Sequence, residues 1–406
     1  MLISHPSPDG RPGVQGRRVA VTGLGVVASC GIGRDAFWDG LFGPAPEGPR
    51  RVAGLDATAI YGPKEIRRVD RFTQFAAVAA AEALEDAGGL NGLAADPDRV
   101  GVMIGTGIGG IETIEQQFDV LRDKGPRRVS PFLVPMMMGN RAAADVSMRY
   151  RFRGPCEATV TACAAGTHSV SNGARLVATG RCDVVLAGSS EATITEIGTA
   201  GFTNMTALST SGVSMPFDVN RDGFVMGEGG AVMVLEDLDR ALARGATIYA
   251  EVLGAASTAD AHHITAPAPQ GIGAVACMEV ALVDAGIEPS AVGHINAHGT
   301  STPANDLAEA QAIVKVFGTP GPATTSIKGV TGHSLGAAGS LEAAALALTI
   351  YRGLIPPTRG LTTLDPEIHL DVVTGEPRAW QPAPALSNSF GFGGHNGTIV
   401  MGPAPC

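Results

Sequence analysis

Thr159-Val160-Thr161-Ala162-Cys163-Ala164-Ala165-Gly166 passes from a β-branched run, through small residues, into a segment that reads as helix from Gly166 to Thr179. A strand that ends in a small-residue turn and restarts as a helix is the repeating unit of layered α/β folds. Its placement also bears on chemistry. A thiol at the N-terminus of a helix feels the positive end of the helix dipole, which favours the reactive thiolate. The small neighbours leave room for an incoming thioester.

Strand and helix alternate on either side of this stretch. Arg18-Val19-Ala20-Val21-Thr22-Gly23-Leu24-Gly25 reads as a buried strand entering a glycine turn, and so does Arg99 to Gly107. Arg71 to Ala87 is alanine-rich with helical spacing and stops at Gly88-Gly89. Strands follow at Val184–Gly188 and Gly230–Glu236, with a helix from Leu238 to Arg244. A second series opens near Tyr249, with helices over Gly273–Ala285 and Asn305–Phe317, a strand before His298 and a helix after Gly336. Two strands flank Asn388 to Asn396. The expectation is an α/β chain in two halves that each alternate strands and helices, residues 18–247 and 248–406, behind a flexible tail over residues 1–17. Identity between the halves is too faint to establish duplication.

With 406 residues, 45% hydrophobic and 17% charged, the chain can bury a large core. A net charge of -10 argues against a nucleic-acid partner, which would need a basic surface. Residues 1–18 lack the apolar core of a signal peptide, and no run is long enough to span a bilayer, so neither a membrane partner nor export is expected. The six cysteines are irregularly spaced, which suits a reducing, cytoplasmic compartment better than a disulfide framework.

Two further segments join Cys163: His298-Gly299-Thr300-Ser301-Thr302, and Lys328-Gly329-Val330-Thr331-Gly332-His333-Ser334-Leu335-Gly336. A cysteine and two histidines, each histidine among glycines and hydroxyls, are what a thioester-exchanging carbon–carbon bond former needs. His294 and His298 are four apart, but on a strand and loop rather than a helix, so no metal site is expected. Gly332-His333-Ser334-Leu335-Gly336 also matches the G-x-S-x-G elbow of serine hydrolases, with Asp365 or Asp371 and then His369 or His395 following in hydrolase order. The preceding Thr324 to Thr331 is a poor hydrophobic strand for that elbow, leaving hydrolysis at Ser334 a distant alternative. Gly105-Thr106-Gly107-Ile108-Gly109-Gly110 matches G-x-G-x-x-G, but loop-like, basic sequence stands where a dinucleotide fold wants an acidic residue closing a second strand.

Together with Pro216-Phe217-Asp218, Arg221 to Gly229 and Asn388-Ser389-Phe390-Gly391-Phe392-Gly393-Gly394, these motifs resemble the β-ketoacyl-[acyl-carrier-protein] synthase family, specifically its elongating, type II-like Cys-His-His branch, over nearly the whole chain. The resemblance implies a thiolase-like fold, with two similar halves in α-β-α-β-α layers, and usually a homodimer. It implies decarboxylative condensation of malonyl-carrier with an acyl chain on Cys163, with His298 and His333 stabilising the enolate and no cofactor beyond the phosphopantetheine of an acyl carrier protein. Lys328 matches the family's active-site lysine, paired with Glu309, and the N–H groups of Cys163 and Phe392 match its oxyanion hole. Phe392 corresponds to the gating aromatic. Ile108, Leu133 and Phe202 match acyl-pocket positions, Thr300 and Thr302 the phosphopantetheine arm, and Thr265 its entrance. Lys64, Arg67, Arg68, Arg127 and Arg128 match carrier-docking positions, where basic clusters on an acidic chain would steer an acidic carrier. A close variant is the ketosynthase of a type II polyketide system in a heterodimer with a chain-length factor. Relatives with glutamine for the nucleophile are non-condensing partners, and Cys163 argues against that role. The cysteine loop departs in lacking the hydroxyl residue that often follows, and Phe42 to Tyr61 is short for the family.

Overall fold

The computed structural model describes residues 16–404, so all but the last two residues of the expected tail lie outside the described residues. Its first half contributes β1 (Val19–Ala28), β2 (Val100–Gly105), β3 (Cys156–Glu157), β4 (Val184–Glu191) and β5 (Gly229–Asp237). The second contributes β6 (Ala250–Ala259), β7 (His294–Asn296), β8 (Ala323–Thr325), β9 (Ala385–Gly391) and β10 (His395–Gly402). They run in the order β3-β2-β4-β5-β1-β6-β10-β9-β7-β8.

Counting strands from the start of each half, both sets have the order 3-2-4-5-1. In both, the first two pairings along that order are parallel and the last two antiparallel. The duplication that residue identity conceals is therefore plain in the topology. The halves meet where β1 and β6 pair antiparallel, Val19 opposite Val252 and Val21 opposite Ala250.

Helices form the remaining layers. α1 (Arg71–Asp86) and α3 (Arg141–Tyr150) cover the outside of the first sheet, while α2 (Ile111–Lys124) follows β2. α5 (Ile272–Ala285) and α6 (Pro303–Phe317) pack on the outside of the second half. Between the sheets lie α4 (Ala165–Ala178) and α7 (Ala338–Arg352), each touching strands of both halves. This is the thiolase-like α-β-α-β-α arrangement, and it explains why β1 and β4 are buried along their whole length. Close layering requires bare backbone: a Cβ on Gly25 of β1 would lie 1.8 Å from the Ala79 carbonyl oxygen of α1. α7 is buried continuously from Ala338 to Ile350, and its only charged residue in that stretch is Glu342.

Candidate active site

The loops at the ends of the two sheets and the starts of the two middle helices meet at one point. Cys163 sits in the turn Ala162–Ala164 that leads into α4, behind Ala162 at φ 48°, a left-handed conformation that few alanines adopt. His333 Nε2 lies 3.1 Å from Cys163 Sγ across 170 positions of sequence. The His298 ring stands nearly perpendicular to that of His333, with centroids 5.3 Å apart. Phe390 packs against His298 at 5.9 Å and Phe224 against His333 at 5.2 Å, with Phe202 behind Phe224. The expected convergence of thiol and imidazoles is present.

Lys328, fully buried, fixes the state of His298. Its Nζ donates to the His298 carbonyl at 2.6 Å and lies 3.3 Å from His298 Nδ1. An ammonium only donates, so Nδ1 accepts and the ring proton is assigned to Nε2, where the Phe390 backbone is a partner that a ligand oxygen would have to displace or share. The ion-pair partner of Lys328 is Glu342 of α7, not Glu309 as expected. Glu309 instead accepts the backbone N–H groups of His298 and Gly299, both at 2.8 Å, and so holds the loop rather than the lysine. A lone charge within the buried Ala338–Ile350 stretch of α7 was the sequence signal for Glu342. Phe224 and Phe390 carried no such signal, because a phenylalanine beside a glycine loop reads as ordinary core.

Burial dominates the electrostatics. It pushes the Cys163 thiol up to about 11, against the opposing pull of Lys328 and of the Phe392 and Cys163 N–H groups that reach the sulfur. The expectation that the helix terminus favours the thiolate meets an opposing influence here, since burial has the largest effect on the sulfur and raises its pKa. Both imidazoles are held well below the ordinary histidine range, by burial first and by the Lys328 charge second. They stay neutral as the pH falls through 6.5. Followed by NMR, neither imidazole should therefore titrate with a midpoint near 6.5. A ring that gains a proton with a midpoint near 6.5 would contradict this protonation scheme.

A cavity of about 360 Å³ opens onto Cys163, His298 and His333. Thr265, Thr300, Thr302 and Phe392 line it, as expected, and the Phe392 turn carries Gly393 and Gly394 at φ 85° and 72°. Thr302 also caps α6. Phe202 belongs to the apolar cluster around Cys163. Ile108 and Leu133 do not line the cavity: Ile108 is 43% exposed and Leu133 half-buried, because both stand on an outer apolar face of the single chain. Lys64, Arg67, Arg68, Arg127 and Arg128 are all exposed and lie off the cavity wall. Arg68 stacks on Phe132 at 4.3 Å, which brings the first basic cluster beside the second.

The hydrolase constellation is not assembled. Ser334 is buried off the cavity, Asp365 pairs with Arg221, Asp371 pairs with Arg378, and His369 is exposed.

On a duplicated thiolase-like fold, a cysteine flanked by two neutral imidazoles at the head of a cavity defines a class of enzymes that move acyl groups between thiols. Residues 51–241 match the family model described as beta-ketoacyl synthase, N-terminal domain, and residues 249–362 match the corresponding C-terminal domain. The chain is 45% identical over 408 residues to a 3-oxoacyl-[acyl-carrier-protein] synthase 2 of Synechocystis sp., covering 95% of this chain and 98% of that one. It is similar at TM-score 0.90 and 33% identity to the ishigamide ketosynthase/chain length factor, over 96% of this chain and 100% of that one. At TM-score 0.87 and 33% identity, with the same coverage, it is similar to a chain of a type II PKS acyl-carrier protein in complex with its ketosynthase bound to the hexaketide. The chain belongs to the β-ketoacyl synthase family.

Proposed function

We infer that the protein is a β-ketoacyl-[acyl-carrier-protein] synthase that lengthens acyl chains by decarboxylative condensation. The observation that carries this reading is the 3.1 Å contact between His333 Nε2 and Cys163 Sγ, beside an imidazole whose tautomer Lys328 sets. In the first half-reaction, Cys163 Sγ attacks the carbonyl of an acyl-carrier thioester as its proton passes to His333. The N–H groups of Cys163 and Phe392 hold the developing oxyanion, and the carrier thiol departs with a proton. In the second, malonyl-carrier loses carbon dioxide. The electron pair of the broken bond forms an enolate, whose oxygen accepts a hydrogen bond from the Nε2–H of His298; His333, having returned its proton to the carrier thiol, has none on Nε2 to add. The enolate carbon then attacks the acyl-cysteine, expelling the sulfur, which takes a proton from solvent. The His298 donor stabilises the enolate charge, so the reaction as proposed calls for no metal or bound cofactor; substrates arrive on the carrier's phosphopantetheine. Purified protein given acyl- and malonyl-carrier should release carbon dioxide and form 3-oxoacyl-carrier in equal amounts. Acylation of Cys163 without any 3-oxo product would overturn the reading.

Fatty-acid elongation is favoured over a polyketide role, because relatives named 3-oxoacyl-[acyl-carrier-protein] synthase 2 are 45% identical whereas the ketosynthase/chain length factor neighbour is 33%. The partner is an acyl carrier protein, supported by five exposed basic residues on a chain of net charge -10. A cytoplasmic location fits five free thiols among the described residues, in which no helix is long and apolar enough to cross a membrane.

The protein is proposed to be a homodimer. On α2, Ile114, Phe118 and Leu121 are 40% to 55% exposed at i, i+4 and i+7, and Phe132, Val134 and Ile108 extend the same apolar surface beyond the helix. A second copy covering this face would also enclose Ile108 and Leu133. Light scattering should give twice the mass of the chain; a stable monomer that pairs only with a co-expressed related subunit would replace this with the heterodimer.

A further inference from the structure

Glu191, the last residue of β4, is fully buried and belongs to none of the roles above. Its carboxylate sits between two turns. From the turn after β2 it accepts Gly107 N–H at 2.6 Å, Ile108 N–H at 3.3 Å and the Thr106 hydroxyl at 3.0 Å. From the turn that carries His333 it accepts Gly336 N–H at 3.1 Å. The two turns approach so closely that a Cβ on Gly336 would lie 2.0 Å from Gly107 N and 2.7 Å from Glu191 Oε2, and a Cβ on Gly107 would lie 2.5 Å from the same oxygen. Both misleading glycine motifs therefore have one physical cause. The nest of N–H groups that a phosphate would occupy in a dinucleotide fold is filled by the protein's own carboxylate, and the G-x-S-x-G turn is the other jaw of that joint.

The joint lies next to the chemistry. Gly336 is three residues beyond His333, and Leu335 between them is held at φ 46° and packs in the cluster around Cys163. On its other side, His333 is fixed by N–H donation to the Val225 carbonyl at 2.8 Å and by accepting Gly227 N–H at 2.9 Å. Glu191 is the counterpart of that clamp.

We propose that Glu191 is a positioning residue for acyl transfer: by closing the Gly107–Gly336 joint it holds the His333 imidazole against the Cys163 sulfur. This rests on the proposed function only in naming His333 as the proton acceptor. A second signature separates this role from simple structural support. Among the charges acting on the sulfur, Lys328 pulls the thiol down and Glu191 pushes it up, so Glu191 should be felt in the titration of Cys163 as well as in rate.

The test uses full-length Glu191→Gln and Glu191→Asp. Gln removes the charge and turns an N–H₂ toward donors; Asp keeps the charge but falls a methylene short of spanning both turns. For folded E191Q, single-turnover acylation of Cys163 by acyl-carrier should fall about tenfold to hundredfold with KM within about twofold. The midpoint of its pH profile for iodoacetamide alkylation of Cys163, followed by mass, should move down. E191D should keep the wild-type midpoint and still acylate slowly. Wild-type acylation in E191Q, or a rate loss accompanied by an unmoved midpoint, would overturn the proposal. Should E191Q fail to fold, E191D decides: wild-type acylation overturns it, and slow acylation at an unchanged midpoint upholds it. Because these readouts stop at the acyl-enzyme, a wild-type protein that acylates but never condenses would remove the proposed function while leaving the Glu191 result readable.

Discussion

Cys163→Gln abolishes condensation, with an expected loss of about 10⁴-fold or more, because no other group near His333 can carry the acyl chain. Malonyl-carrier decarboxylation persists in the same variant. His298 keeps the donor on Nε2 that Lys328 enforces from 3.3 Å, and His333 keeps its backbone clamp to Val225 and Gly227. Glutamine is neutral, so the imidazoles stay neutral too. Measuring carbon dioxide release and 3-oxoacyl product in parallel checks both statements. Condensation within tenfold of wild type would remove Cys163 as the nucleophile, whereas loss of both activities would mean that the sulfur, rather than the imidazoles, governs decarboxylation.

Lys328→Ala has the second largest effect, and it reaches both activity and stability. With the ammonium gone, His298 Nδ1 can take the proton and Nε2 ceases to be an obligatory donor. Turnover should fall about hundredfold. From sequence alone the substitution looks harmless to folding; the buried pair with Glu342 says otherwise. Breaking such a pair costs about 3–5 kcal/mol when the remaining charge stays ionised. Glu342 has an escape, since burial already lifts its carboxyl to about 7 and loss of Lys328 lifts it further. A carboxyl whose folded pKa exceeds its unfolded value binds its proton more tightly in the folded state, so its contribution to stability declines as pH rises through that interval. The melting-temperature loss in K328A should therefore be greater at pH 8 than at pH 6. An equal loss at both would show that Glu342 does not respond to Lys328.

Features that depend on local period and turn chemistry were legible in the sequence. The helix expected over Gly166–Thr179 is Ala165–Ala178, and that over Asn305–Phe317 is Pro303–Phe317. The cysteine and both histidines were legible for the same reason: each stands where a strand or turn gives way to glycines and hydroxyls. Duplication was not, because it resides in strand order and pairing sense, which residue identity does not encode. Which acid pairs with Lys328 was hidden for a related reason. Glu309 and Glu342 are both buried carboxylates, and only the packing of α7 brings the second to the ammonium. The state of Cys163 depended on magnitudes: a helix terminus and a lysine favour the thiolate, full desolvation opposes it, and the balance is set by burial that appears only in three dimensions. Ile108 and Leu133 match pocket positions by sequence, yet in the single chain they stand apart from the cavity, a placement that motif matching along the chain does not reveal.

The central claim is that an acyl chain is handed to the sulfur at position 163. Incubating the protein with acyl-carrier in the absence of malonyl-carrier, quenching, and mapping the acylated peptide by mass spectrometry tests it most directly. A single acyl group on the peptide containing Cys163, absent from the Gln variant, is the predicted result. An acyl group on the peptide containing Ser334, or acylation that survives unchanged in the Gln variant, would contradict it.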